Sequence, residues 1–141
     1  MYNQKTTYHK KLLFLGAILG FLGVILGAYG AHGLKPILTS EDIETFETGI
    51  RFQFFHALLA LIVGCMGFLS KKAINIIYYL LLIGVVFFSG SIYGLATNDL
   101  TSGFDFTRIA LITPVGGLLL MSAWIILIAN IYKYSSLKPR S

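Results

Sequence analysis

Four apolar runs separated by short charged islands constrain this chain more than any other feature. Leu12 to Leu34, Ile50 to Leu69, Ala73 to Ala96 and Ile109 to Tyr132 each reach or exceed the roughly 20 residues that a helix needs to cross about 30 Å of hydrocarbon. The runs are apolar all round, unlike the half-polar surface helices of soluble proteins, and none alternates as a barrel strand would. The fold class expected is all-α, an integral membrane four-helix transmembrane bundle. With 56% hydrophobic and 12% charged residues, too little chain lies outside the spans for a separate soluble domain. Residues 1–141 are expected to form one domain.

The first run could be taken for a signal peptide, with Lys10 and Lys11 as its positive flank and Ala28-Tyr29-Gly30 as a cleavage site. It is longer than a signal's usual apolar core, so retention is expected. Cys65 is the only cysteine, which excludes an intramolecular disulfide, and within the second span it reads as a buried, inert thiol.

Charge placement sets the orientation. Lys5, Lys10 and Lys11 precede the first span, Lys71 and Lys72 separate the second from the third, and Lys133, Lys138 and Arg140 follow the fourth. Four crossings put all eight on one side. Lys35, Arg51 and Arg108 fall on the other, with every acid: Glu41, Asp42, Glu44, Glu47, Asp99 and Asp105. The positive-inside rule then makes the protein a multi-pass cell (inner) membrane protein with both termini cytoplasmic. The basic balance needs no nucleic acid, because topology and the anionic lipids of the bilayer explain it.

The loops read simply. Pro36 ends the first helix, and Thr39 or Ser40 can cap a second whose first turn carries Glu41, Asp42 and Glu44. Lys71-Lys72 read as a tight turn. Asn98-Asp99 and Ser102-Gly103 mark the loop before the fourth span, where Asp105 or Thr107 could cap.

Glycines suggest how the helices meet. Gly16, Gly20, Gly23, Gly27 and Gly30 recur at steps of four and three and so form one stripe, which predicts close packing on another helix or a second copy of the chain. Gly90 and Gly94 repeat the spacing on the third helix. Pro114 with Gly116 and Gly117 predicts a static kink in the fourth.

Polar residues inside spans are functional candidates because burying them is costly. At 100° per residue, Gln53 and His56 share a face with Gly49, Ala60, Gly64 and Gly67, while Glu47 and Arg51 point the other way as an interfacial i,i+4 ion pair. Ser89, Tyr93 and Thr97 form a matching polar face on the third helix. Gln53, His56, Ser89 and Tyr93 are therefore the candidate ligand-binding group, in the outer half of the membrane. Interhelical hydrogen bonding is the plainer role for the same residues. His32, at the end of the first span, reads as interfacial.

Gly27-Ala28-Tyr29-Gly30-Ala31-His32-Gly33-Leu34, the Phe46 to Ala57 segment, Phe88-Ser89-Gly90-Ser91-Ile92-Tyr93, and Ile112-Thr113-Pro114-Val115-Gly116-Gly117 with Trp124 resemble the family catalogued as domain of unknown function 423. These are small membrane proteins of the YgdD-like and transmembrane-protein-256-like types. The resemblance spans roughly Leu12 to Tyr132. It implies a four-helix membrane protein and no particular activity.

No zincin motif, paired intramembrane aspartates or phosphate-binding glycine loop is present, so neither a metal nor a cofactor is expected. The favoured function is a non-enzymatic membrane protein with a pocket for a lipid-like or other small amphiphile, or an accessory of a membrane complex. The alternative is an oligomeric transporter or channel, disfavoured by the apolar inner halves of the spans. Haem ligation by His32 and His56 is a third reading with no diagnostic spacing behind it. Partners expected are the lipid bilayer and either a homo-oligomer or a membrane complex.

The orientation is testable. Lys10→Cys, Lys72→Cys and Lys138→Cys should be shielded from a membrane-impermeant thiol reagent added outside, and Asp99→Cys should label. Labelling of Lys72→Cys would overturn the four-span topology.

Overall fold

The structure, a computed structural model, describes residues 8–101 and 103–137. Lys5, Ser102, Lys138 and Arg140 lie outside the described residues. Four helices follow one another: α1 (Lys10–Tyr29), α2 (Ser40–Gly64), α3 (Lys71–Ala96) and α4 (Ile112–Leu137). Each is long and apolar enough to cross a membrane, and the described residues contain no strand.

A π-helical turn, Gly30–Leu34, extends α1, and the Lys35 N–H closes it by donating to the Gly30 carbonyl at 3.0 Å. Pro36 follows, where it cannot continue the ladder. Thr39 caps α2, its Oγ1 accepting from the Asp42 N–H at 3.1 Å, with Glu41 and Asp42 at the positive end of the helix dipole.

The second helix differs from the expected run of Ile50 to Leu69. It begins ten residues earlier because Ile43 and Phe46 pack with Leu34 and Ala96, so its charged first turns have a buried side. It ends at Gly64, whose carbonyl accepts from the His9 N–H at 2.8 Å. The chain then turns through Cys65–Phe68, and Ser70 caps α3 by accepting from the Ala73 N–H at 3.2 Å. Lys71 and Lys72 are thus the first residues of α3 and not the turn. Cys65 is exposed in that turn instead of buried in a span.

Between α3 and α4 lie two short 3-10 turns, Asn98–Leu100 and Phe106–Ile109. Asp105 caps the second. Hydrogen bonds from the Thr107 hydroxyl at 2.6 Å and N–H at 3.0 Å hold its carboxyl below the usual carboxylate range. Because α4 starts only at Ile112, Pro114 falls in its first turn, where a missing N–H breaks no helical bond. The expected kink therefore loses its cause.

Sequence neighbours pack against one another, α1 on α2, α2 on α3 and α3 on α4. Lys10, Lys11, Lys71, Lys72 and Lys133 share one end, hereafter the lysine end, where the Phe68 and Tyr134 rings stack at 4.5 Å. Large apolar side chains such as Phe14, Phe21, Ile62 and Ile125 cover the outside. A surface of this kind suits lipid and not water.

The glycine stripe divides in two. A Cβ on Gly16 would lie 2.7 Å from the Ala57 carbonyl oxygen, on Gly23 2.9 Å from the Phe54 ring, and on Gly30 3.2 Å from Phe46, so these three hold α1 against α2. A Cβ on Gly20 or Gly27 would meet nothing within 4 Å among the described residues. Gly90 is open as well, while Gly94 faces Phe106. The tightest approach to backbone joins α4 to α3: a Cβ on Gly116 would strike the backbone of Phe88, and on the same interface one on Gly84 would meet Leu120 at 2.7 Å.

Overpacking such contacts costs about 1–3 kcal/mol. Gly23→Leu should lower the melting temperature in detergent, and Gly27→Leu should leave it near the parent value. Equal losses in the two variants would contradict this division of the stripe.

Candidate functional site

Two apolar blocks make up the interior, one toward the lysine end around Leu12, Ala60, Ile77 and Leu81, the other at the acidic end around Leu34 and Phe46. Between them lies a polar layer. Gln53, 4% exposed, donates through Nε2 to the Leu19 carbonyl of α1 at 2.7 Å. Its Oε1 accepts from the Tyr93 hydroxyl of α3 at 2.8 Å. The Tyr93 side chain leans back toward the start of its helix, as long side chains do, and its ring covers Gly49. One amide thus ties three helices together, and both of its ends are satisfied.

His56, three residues on, looks elsewhere. Its ring is 5% exposed, and Nδ1 lies 2.7 Å from the Phe52 carbonyl. A carbonyl only accepts, so Nδ1 carries the proton and Nε2 is left as an acceptor. Nε2 faces the Trp124 indole N–H of α4 at 3.4 Å, long for a hydrogen bond. This is a neutral imidazole with one lone pair turned toward α4.

Beside that pair opens a cleft of about 340 Å³, bounded by Phe52 and His56 of α2, Phe88 of α3, and Gly117, Leu120 and Trp124 of α4. The Phe52 and Phe88 rings meet at 4.6 Å and form one wall of it. Trp124 remains 44% exposed, so the cleft opens sideways from the bundle. Its volume lies within the range of small-molecule pockets, and its walls carry almost no polarity beyond the His56 and Trp124 nitrogens.

The candidate group is therefore only partly assembled. Gln53 and Tyr93 meet in the core, away from the cleft, and His56 alone of the four lines it. Ser89 is 1% exposed, and its hydroxyl has no hydrogen-bond partner. The Thr97 hydroxyl donates to the Tyr93 carbonyl of its own helix. His56 lies about 24 Å along α2 from Ser40 at 1.5 Å per residue.

Glu47 and Arg51 do not pair. Arg51 Nη2 donates to the Thr48 hydroxyl at 2.8 Å, and the only ion pair among the described residues joins Arg108 to Asp105. The Thr48 hydroxyl accepts from the guanidinium, and both charges stay exposed, where an ion pair would add little. His32 is exposed at the far end of α1, roughly 15 Å along the bundle axis from His56, too far to share a ligand with it. Trp124 was missing from the candidate group. Tryptophan favours the ends of spans, so a lone tryptophan in mid-span was the available signal.

A family model described as protein of unknown function (DUF423) matches residues 26–117. A UPF0382 membrane protein of Haemophilus influenzae is 37% identical over 128 residues, covering 90% of this chain and 98% of that protein. One from Staphylococcus haemolyticus is 35% identical over 125 residues, 89% of this chain and 98% of the relative. The UPF0382 inner membrane protein YgdD of Escherichia coli is 35% identical over 123 residues, 84% and 87% of the two chains. No solved structure matches. The family model runs from the end of α1 to the start of α4, the relatives align with most of the chain, and the chain belongs to the DUF423 family of membrane proteins.

Proposed function

We propose that this protein is a non-enzymatic membrane protein that holds a lipid-like or other small amphiphile in the cleft between α2 and α4, with both chain ends on the cytoplasmic side. The observation that carries the reading is the His56 and Trp124 pair on the wall of an otherwise apolar cleft. Lipid tails are as apolar as the cleft walls, so apolar contact gives a ligand no preference over bulk lipid. Selectivity has to come from the polar pair. The indole donor and imidazole acceptor, 3.4 Å apart, would have to part by about 1 Å to take a hydroxyl that accepts from one and donates to the other at ordinary hydrogen-bond lengths. A bond of this kind in a membrane is worth about 1–2 kcal/mol, or roughly five- to thirtyfold in occupancy.

A second reading, accessory subunit of a membrane complex or of a homo-oligomer, is favoured by the open glycines Gly20 and Gly27 on α1. Transport is disfavoured by the apolar block between the polar layer and the lysine end.

Native mass spectrometry of the gently extracted protein tests the cleft. The parent should retain a small molecule, and His56→Ala and Trp124→Phe should each lose it about tenfold. Tyr93→Phe, which removes a bond to Gln53 outside the cleft, should lower thermal stability and leave retention unchanged. A parent without any retained molecule, or a His56→Ala variant that keeps it, would overturn the proposal.

A further inference from the structure

At 1.5 Å per residue, Trp124 stands about 18 Å along α4 from Ile112 and about 20 Å from Leu137, and His56 stands about 12 Å along α2 from Gly64. A hydrocarbon core is about 30 Å thick, so the two side chains lie well inside the apolar part of the membrane. A phospholipid that enters the cleft from the side therefore meets this pair with its chain and not with its headgroup. The described wall residues include no lysine, arginine, aspartate or glutamate. A phosphate, carboxylate or ammonium group seated there would be a buried charge without a partner, which is costly. Any polar group that the pair recognises is uncharged.

The hydrogen-bonding roles narrow the group further. The imidazole is fixed, because its Nδ1–H donates to the Phe52 carbonyl. Trp124, half-exposed on the open side of the cleft, is the partner that can swing outward. A ligand that bonds to either nitrogen has to part the two and so breaks the long contact that they make with each other. A ketone or ester oxygen only accepts, so it takes the indole N–H and leaves the Nε2 lone pair with nothing, one bond lost for one gained. A hydroxyl accepts from the indole and donates to the imidazole, so one long bond gives way to two of ordinary length. The apolar walls hold any of these chains alike, as bulk lipid does.

We propose that the cleft selects an uncharged hydroxyl carried part-way along an aliphatic chain, as in a lipid with a hydroxylated acyl chain, over the same chain with a carbonyl or with no polar group. This inference rests on the proposed cleft function and adds the chemical class of the ligand to it. Trp124 is the donor to the hydroxyl oxygen, His56 is the acceptor of its proton, and Phe52, Phe88 and Leu120 enclose the adjoining chain. The sideways opening admits such a molecule from the bilayer without a passage through water.

The test uses the full-length protein in phosphatidylcholine nanodiscs, with lipids retained after mild release counted by native mass spectrometry. The probes are phosphatidylcholines with a mid-chain hydroxyl, with the matching mid-chain ketone, and with the unsubstituted chain. The parent should keep the hydroxyl lipid about fivefold or more over the unsubstituted one, the effect of one added hydrogen bond in a membrane, and the ketone within about twofold of it. His56→Ala removes the acceptor and should bring the hydroxyl lipid down to the level of the ketone. Each preference is a ratio between probes on the same folded molecules, so a lower yield of the variant does not imitate the loss. A free long-chain alcohol with its hydroxyl at mid-chain identifies the source: displacement of the hydroxyl lipid means that the chain and its hydroxyl are enough, and failure to displace it means that the rest of the lipid is read as well. Retention of the ketone as strongly as the hydroxyl, or of all the probes alike, would overturn the hydroxyl selectivity and leave the cleft function standing. Retention of none of them would overturn both.

Discussion

The contact between Gly116 of α4 and the backbone of Phe88 on α3 sets the shape of this molecule. Only a residue without a Cβ permits that approach, and Gly84 receives Leu120 one step further along the same interface. In a bilayer no hydrophobic force draws helices together, so close packing at small residues is the main source of association. Gly16, Gly23 and Gly30 do the same for α1 on α2. The two tight pairs are α1 with α2 and α3 with α4, joined through α2 and α3. Drawn in against α3, α4 leaves a gap on its α2 side, and that gap is the cleft that His56 and Trp124 face.

A core held mainly by glycine contacts needs something to fix its register, and the polar layer supplies it. Gln53 has partners on α1 and α3, so sliding any one of these helices by a turn would strand an amide in hydrocarbon. Ser91 and Thr113, with hydroxyl oxygens 2.6 Å apart, make a similar tie between α3 and α4. His56 belongs to the same layer by depth but not by connection. Its one free lone pair faces α4 across a long contact and not a packed core. That incomplete satisfaction distinguishes it from Gln53, and its place on the cleft wall is why the functional proposal rests on His56 alone among the four polar candidates.

The helices and their order were legible because a bilayer requires every spanning backbone group to be bonded internally, which leaves few choices for an apolar run. The Thr39 cap and the inward face of Gln53 and His56 followed from short-range rules. What the sequence could not show was which neighbour each residue meets. Five glycines of one stripe look alike in sequence, yet a Cβ on Gly23 would strike Phe54 and one on Gly27 would have open space among the described residues. Pro114 reads as a kink until the start of α4 is known, and Glu47 with Arg51 reads as a pair until Thr48 is seen to take the guanidinium. The cleft was hidden for the same reason, since its walls come from three helices and its indole lies 68 positions from its imidazole.

The most direct test of the central claim uses the one tryptophan of the chain. Trp124 lines the cleft near the middle of α4, so its fluorescence reports what lies beside it. In vesicles titrated with lipid brominated at mid-chain, a seated acyl chain should give quenching that saturates at a low fraction of brominated lipid, and His56→Ala should abolish the saturable phase. Quenching that rises only in proportion to the brominated fraction, alike in parent and variant, would mean that bulk lipid and no bound molecule contacts Trp124.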